Sequence, residues 1–171
     1  MSTISMRVAQ VETLNPLIRR FTLQPVQGGA LPTFDAGAHV RVRIGTADEW
    51  RHYSLIDFST AADAGAAAPQ AYTIAVRLED AGRGGSRFMH ALQQGDELTI
   101  EPPRNDFPLA AHGGCAVLVA GGIGVTPLAS MAARCRAQGR AVRMVYAGRS
   151  RALMALLPEL QTVLGDALRV H

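Results

Sequence analysis

Val117-Leu-Val-Ala-Gly-Gly-Ile-Gly-Val-Thr-Pro127 decides the fold. A continuous apolar run reads as a buried strand, the glycines as a tight turn, and Thr126 and Pro127 as the N-cap and first residue of a helix. A strand feeding a glycine turn and then a helix is the build of a dinucleotide site at the C-terminal end of a strand. Pro127 stands where the ordinary Gly-x-Gly-x-x-Gly pattern would have its third glycine, and a βα turn without a ligand would read the same way. The pattern then alternates. A helix is predicted from Pro127 to about Gln138, a strand over Val142–Ala147, a helix over Leu153–Leu164 and the start of a third strand at Leu168–Val170. Alternating strand and helix implies a parallel sheet.

Towards the N-terminus the period falls to two. Met6–Glu12, Ile18–Pro25, His39–Ile44, Arg51–Ile56, Tyr72–Leu78 and Glu97–Glu101 read as six short strands separated by turn residues. That spacing predicts a small antiparallel Greek-key β-barrel. Ala61–Pro69, almost wholly Ala, Gly, Asp and Pro, is expected to be a surface loop without chemistry. The fold class is therefore β plus α/β: a six-stranded barrel over residues 1–110, then the N-terminal part of a nucleotide-binding α/β domain over 111–171. The junction falls near Ala110–Gly114.

With 48% hydrophobic residues in 171, the chain can bury a sizeable core. No run of about 18 apolar residues is present, which argues against a spanning helix. The first residues lack the pattern of a secretory signal, so a cytoplasmic location is expected. Net charge is +3, and the arginines are dispersed. Dispersed arginine beside glycine suits small phosphate-bearing ligands and argues against nucleic acid, which favours a continuous basic face. Cys115 and Cys135 read as small buried hydrophobes, and the five histidines are scattered singly, so no metal site is expected.

Three further segments carry chemistry. In Gly82-Arg-Gly-Gly-Ser-Arg-Phe-Met-His-Ala-Leu92, glycines permit close backbone approach, Ser86 reads as an N-cap, and Arg83 and Arg87 can bind an anion. A glycine hairpin that merely caps a helix fits the same residues. In Arg51-His-Tyr-Ser-Leu55, strand alternation puts Arg51 and Tyr53 on one face, with His52 and Ser54 on the other unless a bulge intervenes. Tyr53 alone would read as core packing. Glu101-Pro-Pro-Arg-Asn-Asp-Phe-Pro-Leu109 reads as a stiff linker.

In this order the four segments resemble the ferredoxin–NADP reductase superfamily, specifically its phthalate dioxygenase reductase and vanillate demethylase reductase type. Phe34-x-Ala-Gly-Ala-His-Val40 adds to the likeness, which covers nearly the whole chain. The resemblance implies a flavin held by Arg51, His52, Tyr53 and Ser54, with Tyr53 on the ring and Ser54 near N5. Arg83, Gly84, Gly85 and Ser86 would hold its phosphate, and Val76 would line the ring edge. Gly122, Gly124, Thr126 and Pro127 would shape the nicotinamide pocket, which makes Ser54 and Thr126 the residues at the reacting atoms. The form of the glycine loop resembles the FMN-using branch more than the FAD-using one. Arg149-Ser-Arg151 lies where an adenosine ribose is expected and could take a 2′-phosphate, yet NADH is expected ahead of NADPH. The implied activity passes electrons from NADH through FMN to an iron–sulfur centre and an oxygenase.

The sequence departs from that family in two ways. It has no Cys-Gly-Pro triplet, and no four clustered cysteines of a ferredoxin domain. A truncated α/β domain is expected, with a sheet edge that invites self-association. The alternative expectation is a flavin-binding module without nicotinamide turnover.

Overall fold

The computed structural model describes residues 2–45, 48–59, 68–111 and 113–171. Most of the loop expected at Ala61–Pro69 lies outside them. Strand β1 (Ile4–Asn15) turns through Pro16 and Leu17 into β2 (Ile18–Pro25), and the turn is fixed by the Leu17 N–H donating to Asn15 Oδ1 at 3.0 Å. Then follow β3 (His39–Arg43), β4 (Trp50–Ser54), β5 (Tyr72–Arg77), the short helix α1 (Gly85–Ala91) and β6 (Glu97–Ile100). The six strands form one antiparallel sheet in the order β4-β3-β6-β1-β2-β5. Alternation turns Met6, Val8, Phe21, Leu23, Val40, Val42 and Ile74 into a shared core. Fully burying each such side chain contributes about 1.5–3 kcal/mol.

The sheet curls until its outer strands meet, but no ladder joins β4 to β5 among the described residues. One backbone bond beyond β4, from the Ile56 N–H to the Thr73 carbonyl at 2.8 Å, links the two ends. The closure expected of a barrel is thus limited to this contact. The unzipped edges leave room for a groove.

The second sheet is parallel, in the order β7 (Ala116–Gly121), β8 (Val142–Ala147), β9 (Leu168–Val170). Helices α2 (Val125–Ala137) and α3 (Leu157–Leu164) both pack on one face, over Leu118, Ala120, Met144 and Tyr146. The opposite face is bare, and Val117 and Val119 on the edge strand β7 are 68% and 70% exposed. No helix among the described residues is long and apolar enough to cross a membrane.

The two sheets share a core at their junction, where Ile18, Ile56 and Ala75 join the cluster under α2. Polar links add to it. Arg20 on β2 pairs with Glu12 at 2.5 Å and with Glu159 of α3 at 2.6 Å, and Asn15 Nδ2 donates to the Leu153 carbonyl at 3.2 Å.

Several local expectations are corrected. Helix α2 begins at Val125 after a 3-10 turn over Gly122–Gly124, so Thr126 and Pro127 lie inside its first turn and not at its cap. Likewise α1 begins at Gly85, behind Gly84, and Ser86 does not cap it. The helix expected over Leu153–Leu164 starts only at Leu157. A 3-10 turn at Arg151–Leu153, extended backbone at Met154 and a left-handed Leu156 (φ 61°) precede it. Cys135 is buried as expected, but Cys115 is exposed.

Candidate functional site

A groove of about 460 Å³ opens between the unpaired edges of β4 and β5. Arg51, His52, Tyr53 and Ser54 line it from β4, and Ala75, Val76 and Arg77 from β5. The glycine loop contributes Gly82, Arg83, Gly85 and Ser86, and the turn before α2 contributes Ile123, Gly124, Thr126 and Pro127. Residues from four separate stretches of chain therefore converge on one space. Of the predicted set, only Gly84 and Gly122 fall outside this lining. Gly84 joins Arg83 to Gly85 in a left-handed conformation (φ 91°) that favours glycine. Gly122 lines an adjoining groove of about 550 Å³ with Gly121, Ala147, Gly148 and Arg149, at the C-terminal ends of β7 and β8. Arg77 and Ile123 line both spaces, which places the two side by side.

The glycine loop is tied down at each end. Ser86 Oγ accepts the Glu79 N–H at 3.0 Å, which closes the loop onto the end of β5, and Arg87 donates to the Asp80 carbonyl. Behind it, His90 Nε2 lies 2.8 Å from the Val76 carbonyl, which requires that nitrogen to carry the proton. Arg19 Nη1 donates to the His90 carbonyl at 2.7 Å. Helix α1 is thereby fixed to both β2 and β5, and Val76 is held with it.

Arg51 lies along Gly85, and its guanidinium donates to the Trp50 carbonyl at 3.0 Å and pairs with Glu49. Tyr53 is partly buried beside it. Burial pushes its phenol up to about 12, with Arg51 offsetting part of that rise. The ring is therefore neutral near pH 7, an apolar face with a polar tip. The strand alternation expected of residues 51–54 does not keep His52 and Ser54 from the groove. His52 borders it while stacking on His39 with ring centroids 4.7 Å apart.

The turn before α2 is tied down by side-chain hydroxyls. Thr126 Oγ1 donates to the Ile123 carbonyl at 3.1 Å. The Tyr146 hydroxyl sits 3.2 Å from the Gly122 carbonyl and 3.1 Å from that of Ala155, and it donates to one of them at a time. Burial pushes this phenol, too, up to about 12.

Sequence reasoning missed Ala75, Arg77 and Ile123, although each neighbours a residue it had singled out, and it missed Glu79, which lines the same groove and pairs with Arg77 at 3.6 Å. It also missed the His39–His52 stack, because residues 13 apart meet only through the pairing of β3 with β4.

Comparison with known proteins fits this geometry. The chain is 38% identical to tetrachlorobenzoquinone reductase of Sphingobium chlorophenolicum over 167 residues, which cover 97% of the chain and 49% of that protein. It is 37% identical to phthalate dioxygenase reductase of Burkholderia cepacia over 159 residues, 92% of the chain and 47% of the relative. A solved phthalate dioxygenase reductase, described as a modular structure for electron transfer from pyridine nucleotides to [2Fe-2S], superposes with a TM-score of 0.88 at 35% identity. That match covers 99% of this chain and 51% of the other. The chain thus spans about half the length of the curated relatives it matches. No family model matches it.

Proposed function

Because the chain belongs to the phthalate dioxygenase reductase type of the ferredoxin reductase-like family, we propose that it is the electron-entry half of a cytoplasmic oxygenase reductase, binding FMN and accepting electrons from NADH. The observation that carries this reading is the single groove shared by Arg51, Tyr53 and Ser54, the Gly82–Ser86 loop and the Thr126 turn. Residues 1–110 hold the flavin, and residues 111–171 present the nicotinamide.

The residues suit such a group. Gly85 leaves room for Arg51 where a side chain would collide, and Gly84 adopts a backbone conformation that L side chains rarely take. Arg51, Arg83, Gly84, Gly85 and Ser86 form the phosphate end, where backbone amides and guanidinium groups meet an anion. Tyr53 would cover the ring of a bound flavin, Val76 and His52 would bound its edge, and Ser54 would stand near the ring atom that receives electrons. Gly122, Gly124, Thr126 and Pro127 shape the nicotinamide side, with the adenosine end in the groove beside Arg149. Flavin bound there would supply the redox chemistry, taking two electrons as hydride from NADH and releasing them singly. The protein's part is orientation and exclusion of water, which requires no general acid or base.

FMN is proposed ahead of FAD because the form of the loop, Gly82-Arg-Gly-Gly-Ser86 followed by Arg87, resembles that of the FMN-using branch, and NADH ahead of NADPH. The electrons then pass to a ferredoxin-type iron–sulfur domain and an oxygenase outside this chain. A second reading, a flavin-binding module without nicotinamide turnover, draws on the bare face of the three-stranded sheet.

One experiment separates these readings: a visible spectrum of the purified chain before and after anaerobic NADH or NADPH, with the released flavin identified. Flavin bands that bleach with NADH support the reductase. Persistent bands support the binding module. A protein that neither carries nor takes up FMN or FAD overturns both.

A further inference from the structure

The three residues that follow Ser54 send their amides to three different parts of the molecule. Leu55 N–H donates to the Ala38 carbonyl at 2.9 Å, Ile56 N–H to the Thr73 carbonyl at 2.8 Å, and Asp57 N–H to Ser130 Oγ at 2.9 Å. The Ser130 hydroxyl returns its own proton to the Leu55 carbonyl at 2.9 Å. One side chain on α2 thus both accepts from and donates to the segment that immediately continues β4.

We infer that Ser130 is a positioning residue, which fixes the separation of Ser54 from Thr126 and so the approach of nicotinamide to flavin. This inference rests on the reductase reading given above. Ser130 is 3% exposed, and its neighbours along the helix, Ala129, Met131 and Ala132, are buried and apolar. Alanine would fill nearly the same volume, so packing alone does not call for the hydroxyl. A buried serine within a helix commonly satisfies itself by bonding back to the carbonyl four residues earlier. Here that carbonyl belongs to Thr126, and Ser130 instead spends both donor and acceptor on the strand segment. Residues four apart lie on the same side of a helix, so the clamp sits one turn below Thr126 on its own face. At the other end of the clamp, Ser54 is the residue preceding Leu55. The shorter path from one reacting side to the other therefore runs from Thr126 through a single helical turn to Ser130, and through its hydrogen bond to the Leu55 carbonyl to the residue next to Ser54.

Such a link acts on rate more than on binding. Flavin contacts come chiefly from β4, β5 and the glycine loop, which Ser130 does not touch, whereas hydride transfer is sensitive to displacements of about 1 Å, which can cost on the order of 100-fold. The test compares S130A and S130T with the unaltered chain, using FMN and NADH. S130A is expected to take up FMN with affinity within about threefold of the parent. Its limiting rate of bleaching at saturating NADH should fall about tenfold or more, while the NADH concentration giving half that rate changes little. The long-wavelength absorbance from nicotinamide lying on flavin should weaken in parallel. S130T keeps the hydroxyl and should restore most of the rate. The inference is overturned if S130A binds FMN and bleaches as fast as the parent, or if S130T binds FMN yet is as slow as S130A. It is equally overturned if S130A loses FMN altogether, which would make Ser130 a structural support of the flavin site. A parent chain that takes up no flavin, or whose colour survives NADH, removes the reductase reading and this inference together. That outcome is distinct from a parent that bleaches and an S130A that matches it.

Discussion

Arg51 rests on Gly85: a Cβ added to that glycine would stand 2.9 Å from Arg51 Cγ and 3.0 Å from its Nε. Strand β4 and the start of α1 are thus fitted to each other through a missing side chain. The fit brings the cation to the loop proposed to hold phosphate. G85A is expected to displace Arg51 and remove a charge-assisted contact, typically about 1.5–3 kcal/mol, so that FMN binds roughly tenfold more weakly or worse. Riboflavin, which has no phosphate, should bind the variant and the parent about equally. Fluorescence titrations with both ligands check this. Equal weakening for both would mean that the substitution disturbs the ring site and that Arg51 does not serve the phosphate.

Tyr53 separates the contribution of a ring from that of a hydroxyl. Burial keeps its phenol neutral up to about pH 12, so it does not titrate at the pH of ordinary assays. Y53F should retain FMN affinity within about threefold, because the aromatic face remains, whereas Y53A should lose about tenfold as stacking and covered area are removed. For the same reason, Tyr53 should add no pH dependence to flavin affinity between pH 7 and 10. A transition in that range present in the parent and absent from Y53F would contradict the assignment.

How much of this was legible in the sequence depended on range along the chain. The strands at Ile18–Pro25 and Val142–Ala147 match their expected limits residue for residue, because periodicity and flanking turn residues are local signals. The start of α3 is not legible in the same way, because Leu153–Leu157 is apolar enough to pass for helix. The left-handed Leu156 is set by packing that periodicity does not report. The same divide runs through the site. The glycine loop and the Gly121–Pro127 turn announce themselves by composition. Ser130 among alanines reads only as core, and its partners lie 73 and 75 residues away. His39 and His52 meet only once β3 and β4 pair.

That histidine pair predicts a pH dependence of stability. The His39 Nε2 is buried without a hydrogen-bond partner, with Asp106 at 3.9 Å. Burial chiefly lowers the His39 pKa below its ordinary 6.5, and His52, Arg104 and Arg41 add to the effect while Asp106 opposes it. A depressed folded-state pKa means that the unfolded chain binds the proton more readily. The stability contribution is therefore complete above pH 6.5 and is lost as pH falls through the folded-state value. The urea midpoint should drop between pH 7.5 and pH 5.5, and H39Q should show a smaller drop over the same interval. An identical drop in both proteins would assign the effect to other groups.

Strand β7 gives the last expectation. It is the edge of its sheet, and Val117 and Val119 project from the face that no helix covers. An edge strand offers an unpaired row of N–H and C=O groups, and here two apolar side chains stand beside it. Arg143 on β8, in register with Val117, and Arg169 on β9 are exposed, but β7 itself carries no charged residue. The 171-residue chain is therefore expected to self-associate as its concentration rises. A charge on the edge opposes such pairing, since a second copy would bring like charges together and bury them. V119K should shift the chain towards monomer in sedimentation velocity while leaving the far-ultraviolet spectrum unchanged, because residue 119 is exposed and carries no core contact on which the fold depends. If the parent stays monomeric at all concentrations, the bare face does not act as an interface between copies. If V119K associates as strongly as the parent, the association runs through another surface.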